Sequence, residues 1–253
     1  MLSIIDINEN NIDEYDLFCN KSRKGEETYQ RKIEWLKNQF QYGLKFKLAV
    51  IKQKSKYITK GFIEYVPGEY SWRGIQAKNY MVIHCIWIEQ RFQKLGIGKT
   101  LLNICMKDSE DLNGVAVIAS KDSWLPSENF FIKYGFQEID FYEPKFKLLV
   151  FLNEKDVDLP KFIPLDSKLV NNFSGITVNL SGQCPYSFAR VMKMKINAEK
   201  ESIPFIINEL KSSKDTKLGL HPYGTLSIFF NNKFIEYKPT AGNLIKKIKK
   251  FNK

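Results

Sequence analysis

Three places in the sequence hold residue types that can do chemistry. The first is Gln93-Lys94-Leu95-Gly96-Ile97-Gly98, continued by Lys99 and Thr100. Glycines at this spacing let a backbone fold close against a ligand, and a helix opening there aims unpaired N–H groups and the positive end of its dipole into the turn. A pyrophosphate suits that place, and Lys94 and Lys99 add mobile positive charge. The second is His84, in YMVIHCIWI. Imidazole titrates near neutrality and can take a proton from an amine, directly or through water. The alternative for His84 is a hydrogen-bonded core histidine. The third is Gly182-Gln183-Cys184-Pro185-Tyr186-Ser187, where a cysteine at a helix start gains thiolate stabilisation from the dipole.

The elements around these residues follow from apolar spacing. Segments 3–7, 46–51 and 60–66 read as strands, and 26–41 has helical spacing through Tyr29, Ile33, Trp35, Leu36 and Phe40. YMVIHCIWI is a strongly apolar strand. After the glycine turn comes a helix at about 97–109 with Ile97, Leu101, Ile104 and Cys105 on its apolar face. A buried strand at 114–120, a helix from about 126, and strands at 135–139 and 146–152 complete the half, so residues 1–152 read as one mixed sheet with helices. Periodicity lapses over 153–175, which suits a linker. Residues 176–253 then carry the order βαβαββα, with Asn231-Asn232 turning the last hairpin. Within it, IPFIINEL (203–210) reads as a strand, or as a helix capped by Ser202 with Pro204 in its first turn.

Composition excludes several classes. The chain has 253 residues, 43% of them hydrophobic, with 14 Gly and 9 Pro, which is ordinary for a folded globular protein of one large or two small domains. The longest apolar run is broken by His84, far short of the roughly 20 residues of a membrane helix, and the opening MLSIIDINENN lacks a signal peptide's basic flank. The expectation is a cytoplasmic protein. Four scattered cysteines without a C-x-x-C pair, and only two histidines, His84 and His221, argue for reduced thiols and no metal. The net charge of +11 is uneven, with 17 Lys+Arg against 9 Asp+Glu in 151–253 and 22 against 19 in 1–150. Arginine is scarce in the basic half and no nucleic-acid motif occurs, so a solvated lysine surface is expected rather than a nucleic-acid partner. The terminal LIKKIKKFNK has the character of an amphipathic helix, either at an anionic membrane or packed on its own domain; the second is expected.

The glycine run after a central strand resembles the Gln/Arg-x-x-Gly-x-Gly/Ala signature of the GNAT acyl-coenzyme A-dependent N-acetyltransferases. SENFFIKYGFQEID (127–140) is similar to that family's helix and Gly-Phe closing strand. HCIWI, GVAVIASKDSW, QCPYS and FFNNKF carry a further resemblance, across most of the chain, to bacterial YoaP-type acetyltransferases. The resemblance implies a GNAT mixed α/β sheet in 1–152 and, after the 153–175 linker, a thioredoxin-like βαβαββα domain in 176–253. It implies acetyl-CoA as co-substrate, an amine of a small molecule or peptide as acceptor, and a homodimer as one oligomeric possibility.

By the same resemblance, Ile86, Trp87 and Ile88 offer backbone groups to the acetyl thioester and pantetheine where the strand splays from its neighbour beyond Ile86. Residues Gln93 to Thr100 bind the pyrophosphate. His84 matches a histidine base of arylalkylamine acetyltransferases, and alternation along the strand puts it on the same face as Ile86. Val82 stands where histone-type members have a glutamate. The tyrosine that serves many relatives as general acid corresponds to Phe131, leaving Tyr134 as candidate acid or packing residue. Trp124 and Ser127 replace the family's usual Asn and Ala. QCPYS resembles the Cys-Pro-Tyr-Cys loop of glutaredoxins with Ser187 for the second cysteine, so Cys184 is either a thiol for mixed disulfides or part of a binding scaffold.

Overall fold

The computed structural model describes residues 2–17, 19–120, 127–143, 145–164, 173–218, 222–236 and 240–251. Two compact units are present: residues 1–24, 36–71 and 75–162 form the first, and 25–35, 72–74 and 163–253 the second. A cut by position along the chain does not anticipate that division. The second unit takes in most of helix α1 (Glu27–Phe40) and the three residues after Ser71. Nor is 153–175 a bare linker, because β9 (Lys161–Phe162) pairs antiparallel with β4 (Ile75–Gln76) within the first unit.

The first unit is built on a seven-stranded mixed sheet. Its strands are β1 (Leu2–Ile7), β2 (Lys45–Gln53), β3 (Lys56–Pro67), β5 (Tyr80–Ile88), β6 (Gly114–Ala119), β7 (Gln137–Tyr142) and β8 (Phe146–Leu152), in the order β1-β2-β3-β5-β6-β8-β7. The β5–β6 pair is parallel and the other neighbours are antiparallel. A parallel pair requires a crossover, and α2 (Ile97–Lys107) supplies it. Ile97, Leu101, Leu102 and Cys105 of α2 recur at helical spacing and are buried against Ile63 and Tyr65 of β3, Met81 and Ile83 of β5, and Val115 and Val117 of β6. Each such side chain contributes roughly 1.5–3 kcal/mol by leaving water, so this face fixes where α2 begins. Its far end is tied down as well: the Tyr65 hydroxyl donates to Asp108 Oδ2 at 2.6 Å, and Lys47 bridges Asp108 (3.5 Å) and Asp6 (2.7 Å). Burial, with the Asp108 hydrogen bond, pushes the Tyr65 phenol far up.

The pairing of β5 holds the feature that matters most. Against β3, Glu64 faces Cys85 while Tyr65 faces Ile83, so His84 is the extra residue of a β-bulge. Against β6, pairing runs from Tyr80↔Gly114 to Ile83↔Val117 and stops, although β5 continues to Ile88. The strands part at His84, earlier than the expectation of a splay beyond Ile86.

The second unit has a four-stranded sheet ordered β11-β10-β12-β13, from β10 (Ile176–Leu180), β11 (Phe205–Glu209), β12 (Leu226–Phe230) and β13 (Lys233–Glu236). With α4 (Pro185–Lys200), α5 (Ser213–Thr216) and α6 (Ala241–Phe251) the order is βαβαββα. IPFIINEL is thus a strand, parallel to β10, preceded by Ser202 at φ +54°. Asn231 and Asn232 both have positive φ (45° and 69°), as a two-residue hairpin turn that follows the strand twist requires. Leu244, Ile245 and Ile248 of α6 are buried with Val191 and Met194 of α4, so the basic terminal helix packs on its own unit. Residues 25–35 and 72–74 are integral here. The Trp35 and Trp72 rings meet edge to face at 5.5 Å, and the buried Arg73 donates through Nη1 to Gln183 Oε1 (2.8 Å) and the Tyr223 carbonyl (3.2 Å) while lying over the Tyr223 ring. No helix among the described residues is long and apolar enough to cross a membrane.

Candidate active site

Beyond Ile83, β5 has lost β6 as a partner while it stays paired with β3, and strand geometry turns alternate backbone N–H groups of Ile86–Ile88 toward the side that β6 has left. Those groups need an acceptor. The chain then makes a short turn and enters α2 through Gly96, which stands at φ +81°, a conformation that glycine adopts without strain. A Cβ at Gly96 would meet no protein atom within 4 Å, so the space beside it is open. The first bond of the helix runs from the Thr100 N–H to the Gly96 carbonyl (3.0 Å), leaving the earlier N–H groups without an intrahelical partner.

Several contacts hold the turn. The Gln93 amide donates to the Ile88 carbonyl (3.3 Å). Glu89 receives both Lys21 and Lys60 at 3.3 Å, and the Lys60 ammonium lies 4.1 Å from the centre of the Phe92 ring. Desolvation works against the charged Glu89 carboxylate, but the hydrogen bonds and charges of the two lysines outweigh it and hold the group below the ordinary carboxylate range. On the other side, Lys147 of β8 bridges Glu128 (2.9 Å) and Glu138 (2.8 Å), anchoring the short helix α3 (Glu128–Ile132). These carboxylates, Glu138 first, raise the Lys147 ammonium.

Between the free end of β5, the start of α2 and α3 lies a cavity of about 550 Å³. Of the expected ligand-binding residues, Ile86, Ile88, Gln93, Lys94, Gly96, Gly98 and Lys99 line it. Four others have their side chains elsewhere. Trp87 alternates to the opposite face, 6.1 Å from the Phe62 ring; Leu95 is exposed; Ile97 is buried in the core; Thr100 donates to the Gly96 carbonyl. Tyr134 is brought into the cavity wall beside Ile86 and Ile88, whereas Phe131 is wholly buried in the core. Phe92, Ser127, Phe130 and Lys133 also line the cavity and were not expected there. Phe130, Lys133 and Tyr134 stand at i, i+3 and i+4, the spacing of neighbours on a helical surface, but α3 is too short for that spacing alone to show the side it presents. Trp124 lies outside the described residues, as does His221.

His84 is not on the cavity face. Met81 and Ile83 pack against α2, as do Ile86 and Ile88, and the three-residue step between Ile83 and Ile86 absorbs the bulge. The extra residue breaks the alternation, so the expectation of a shared face with Ile86 is corrected. The His84 ring turns to the face that carries Phe62 and Glu64, where Nδ1 lies 3.3 Å from Glu64 Oε1 and Nε2 3.5 Å from Ser71 Oγ. Cys184 belongs to the second unit. It is the half-buried N-cap of α4, followed by Pro185, whose carbonyl accepts from the Thr28 hydroxyl. Among the described residues no cluster of His, Cys, Asp and Glu can hold a metal.

Residues 11–136, which span the opened strand, the glycine turn and the cavity wall, match the acetyltransferase (GNAT) family. They are a GNAT domain. The chain is therefore an acyltransferase. Over 249 residues, 96% of this chain and 97% of the relative, it is 29% identical to the uncharacterized N-acetyltransferase YoaP of Bacillus subtilis. Among solved structures, it is similar to a GNAT-family acetyltransferase of Staphylococcus aureus (18% identity, TM-score 0.43, covering 59% of this chain and 99% of that one). Another is the PaiA N-acetyltransferase of Thermoplasma acidophilum in complex with coenzyme A (16%, TM-score 0.38, 59% and 98%). Within the GNAT domain, the bulge at His84 and the glycine turn lie at the two ends of the stretch of β5 that pairs with β3 but not with β6.

Proposed function

We propose that the protein is an acetyl-CoA-dependent N-acetyltransferase that moves the acetyl group directly to the amine of a small molecule or peptide. One observation carries this reading: a cavity of about 550 Å³ joins the end of β5 that β6 has left to a glycine-bearing helix start with Lys94, Lys99 and Lys133 in its wall. The helix start and the lysines suit the phosphates of coenzyme A. The backbone N–H groups of Ile86–Ile88 that point away from β3 suit the amides of pantetheine and the thioester oxygen.

In the transfer, the amine nitrogen bonds to the thioester carbon, the carbonyl oxygen becomes an oxyanion held by backbone N–H groups, and the C–S bond breaks. With both substrates bound together, no covalent enzyme intermediate is needed. Coenzyme A occupies the α2 face where β5 parts from β6. The His84 ring is buried on the other face, so the proton of the acceptor amine reaches its Nε2 through a relay of water and the Ser71 hydroxyl, 3.5 Å from Nε2. Tyr134, in the cavity wall, gives a proton to the departing thiolate. We read the second unit, with its βαβαββα order and Cys184 at a helix start, as a thioredoxin-like domain.

The test measures free coenzyme A released from acetyl-CoA across polyamines, arylalkylamines, amino acids, aminoglycosides and aminothiols. The expected result is turnover with at least one class, lowered about 100-fold or more in His84→Ala and less in Tyr134→Phe. Failure of every amine together with failure to bind coenzyme A would overturn the reading.

A further inference from the structure

The base assigned above has a partner that the sequence did not single out for this task. We propose that Glu64 is the positioning residue for His84, fixing which ring nitrogen carries the proton and stabilising the imidazolium that forms when the amine is deprotonated. This rests on the reading of His84 as the base. The geometry consists of three side chains in line: Glu64 Oε1, 3.3 Å from Nδ1; the imidazole; and Ser71 Oγ, 3.5 Å from Nε2. The side chains of Glu64 and His84 are 1% and 0% exposed. The register explains the meeting. Glu64 alternates on β3 with Ile63 and Tyr65, which pack in the α2 core, so its carboxylate belongs to the other face. The bulge turns His84 to that same face.

A buried carboxylate on Nδ1 makes Nδ1 the protonated nitrogen, because an ionised carboxylate can only accept. Nε2 then keeps its lone pair, which is the state a base requires. When the amine N–H bond breaks and the Nε2–H bond forms, the ring becomes cationic beside a carboxylate already in place, so the charge is met without rearrangement. A neutral isostere keeps the shape but loses that charge. Among the described residues, the other groups that can titrate on the adjoining segments include Tyr65, beside Glu64 on β3, whose hydroxyl donates to Asp108 on the α2 side; Cys85, next on β5; Glu69, whose Oε1 accepts from the Asn79 N–H at 3.0 Å; and Tyr70, whose ring lies 5.2 Å from that of Tyr42. Residues Gly114–Ala119 of β6 carry no ionisable side chain.

The chain has two histidines, so imidazole ¹⁵N NMR of the full protein reads His84 directly, its signals assigned by their loss in His84→Ala. The expected wild-type spectrum, taken above the His84 titration midpoint where the ring is neutral, shows Nδ1 protonated and Nε2 unprotonated. Because a carboxylate favours the imidazolium, Glu64→Gln should lower the His84 titration midpoint by roughly one pH unit or more, and Glu64→Asp should restore part of that shift. A neutral wild-type ring that carries its proton on Nε2, or a midpoint unmoved in Glu64→Gln, would overturn the proposal without needing any acceptor. Kinetics separate this failure from that of the underlying reading. With any amine whose turnover His84→Ala slows, Glu64→Gln should lower kcat at least about tenfold with KM little changed, and should move the acidic limb of the pH profile downward. If His84→Ala slows transfer and Glu64→Gln does not, Glu64 has no positioning role and the base stands. If His84→Ala leaves turnover intact, the base assignment itself falls.

Discussion

Gly98→Ala sets two effects against each other that can be measured apart. Gly98 is the second residue of α2, where alanine is a better helix former by up to about 1 kcal/mol. The new Cβ would stand 3.2 Å from Phe130 Cε2, 3.3 Å from Cζ and 3.8 Å from Ile88 Cγ1, so the Phe130 ring must yield by a few tenths of an ångström. Phe130 edges a cavity and has room to do so. The two stability terms nearly cancel, and Tm should change by no more than about 3 °C. Binding is different, because Gly98 lines the cavity where its backbone must approach the phosphates. Losing one charge-assisted hydrogen bond of about 1.5–3 kcal/mol there weakens coenzyme A binding roughly 10- to 100-fold. Gly242→Ala is the control: its Cβ would meet nothing within 4 Å, so it should gain helix stability and leave coenzyme A affinity alone. Calorimetric titration with coenzyme A and thermal melts of the three proteins decide the matter. A Gly98→Ala protein that binds coenzyme A as tightly as the wild type would refute the placement of the phosphates at this helix start.

Lys94→Gln, Lys99→Gln and Lys133→Gln should each weaken coenzyme A binding several-fold and flatten its dependence on ionic strength, read by titration at two salt concentrations. Glu89→Gln should lower Tm by about 2 °C near neutrality. Since the folded Glu89 group is held low, its contribution is present above the unfolded carboxyl's range and is lost as pH falls through the folded value, so wild-type and Glu89→Gln melting curves should converge once the pH drops below the ordinary carboxylate range. Tyr65→Phe removes a hydrogen bond to a carboxylate and should cost about 1–2 kcal/mol in denaturant unfolding, with coenzyme A affinity unchanged.

The strand, glycine turn and helix from Tyr80 to Lys107 were legible because each rests on local chemistry: an apolar run, a residue free to take positive φ, and helical spacing. The same holds for the Asn231-Asn232 hairpin. The face of His84 was not legible, because alternation assumes one residue on each strand per pair, and a bulge is set by the partner strand. Lys133 and Phe130 were missed for a related reason: α3 has five residues, too few for a periodic pattern to show which side meets β5. Trp35, Trp72 and Arg73 read as ordinary residues of the first half, since nothing nearby in sequence reports that Gln183 and Tyr223 will surround the guanidinium.

That last arrangement bears on how the molecule is made. Residues 25–35 and 72–74 leave the ribosome early, yet the groups that cover them, Gly182, Gln183, Pro222 and Tyr223 among them, are added more than a hundred residues later. Until then two tryptophans and an arginine wait uncovered on a nascent chain, a state open to association with other chains or to capture by a chaperone. The first unit can close its sheet while later residues are still being synthesised, but the second reaches its full complement only once its last helix, Ala241–Phe251, has been added.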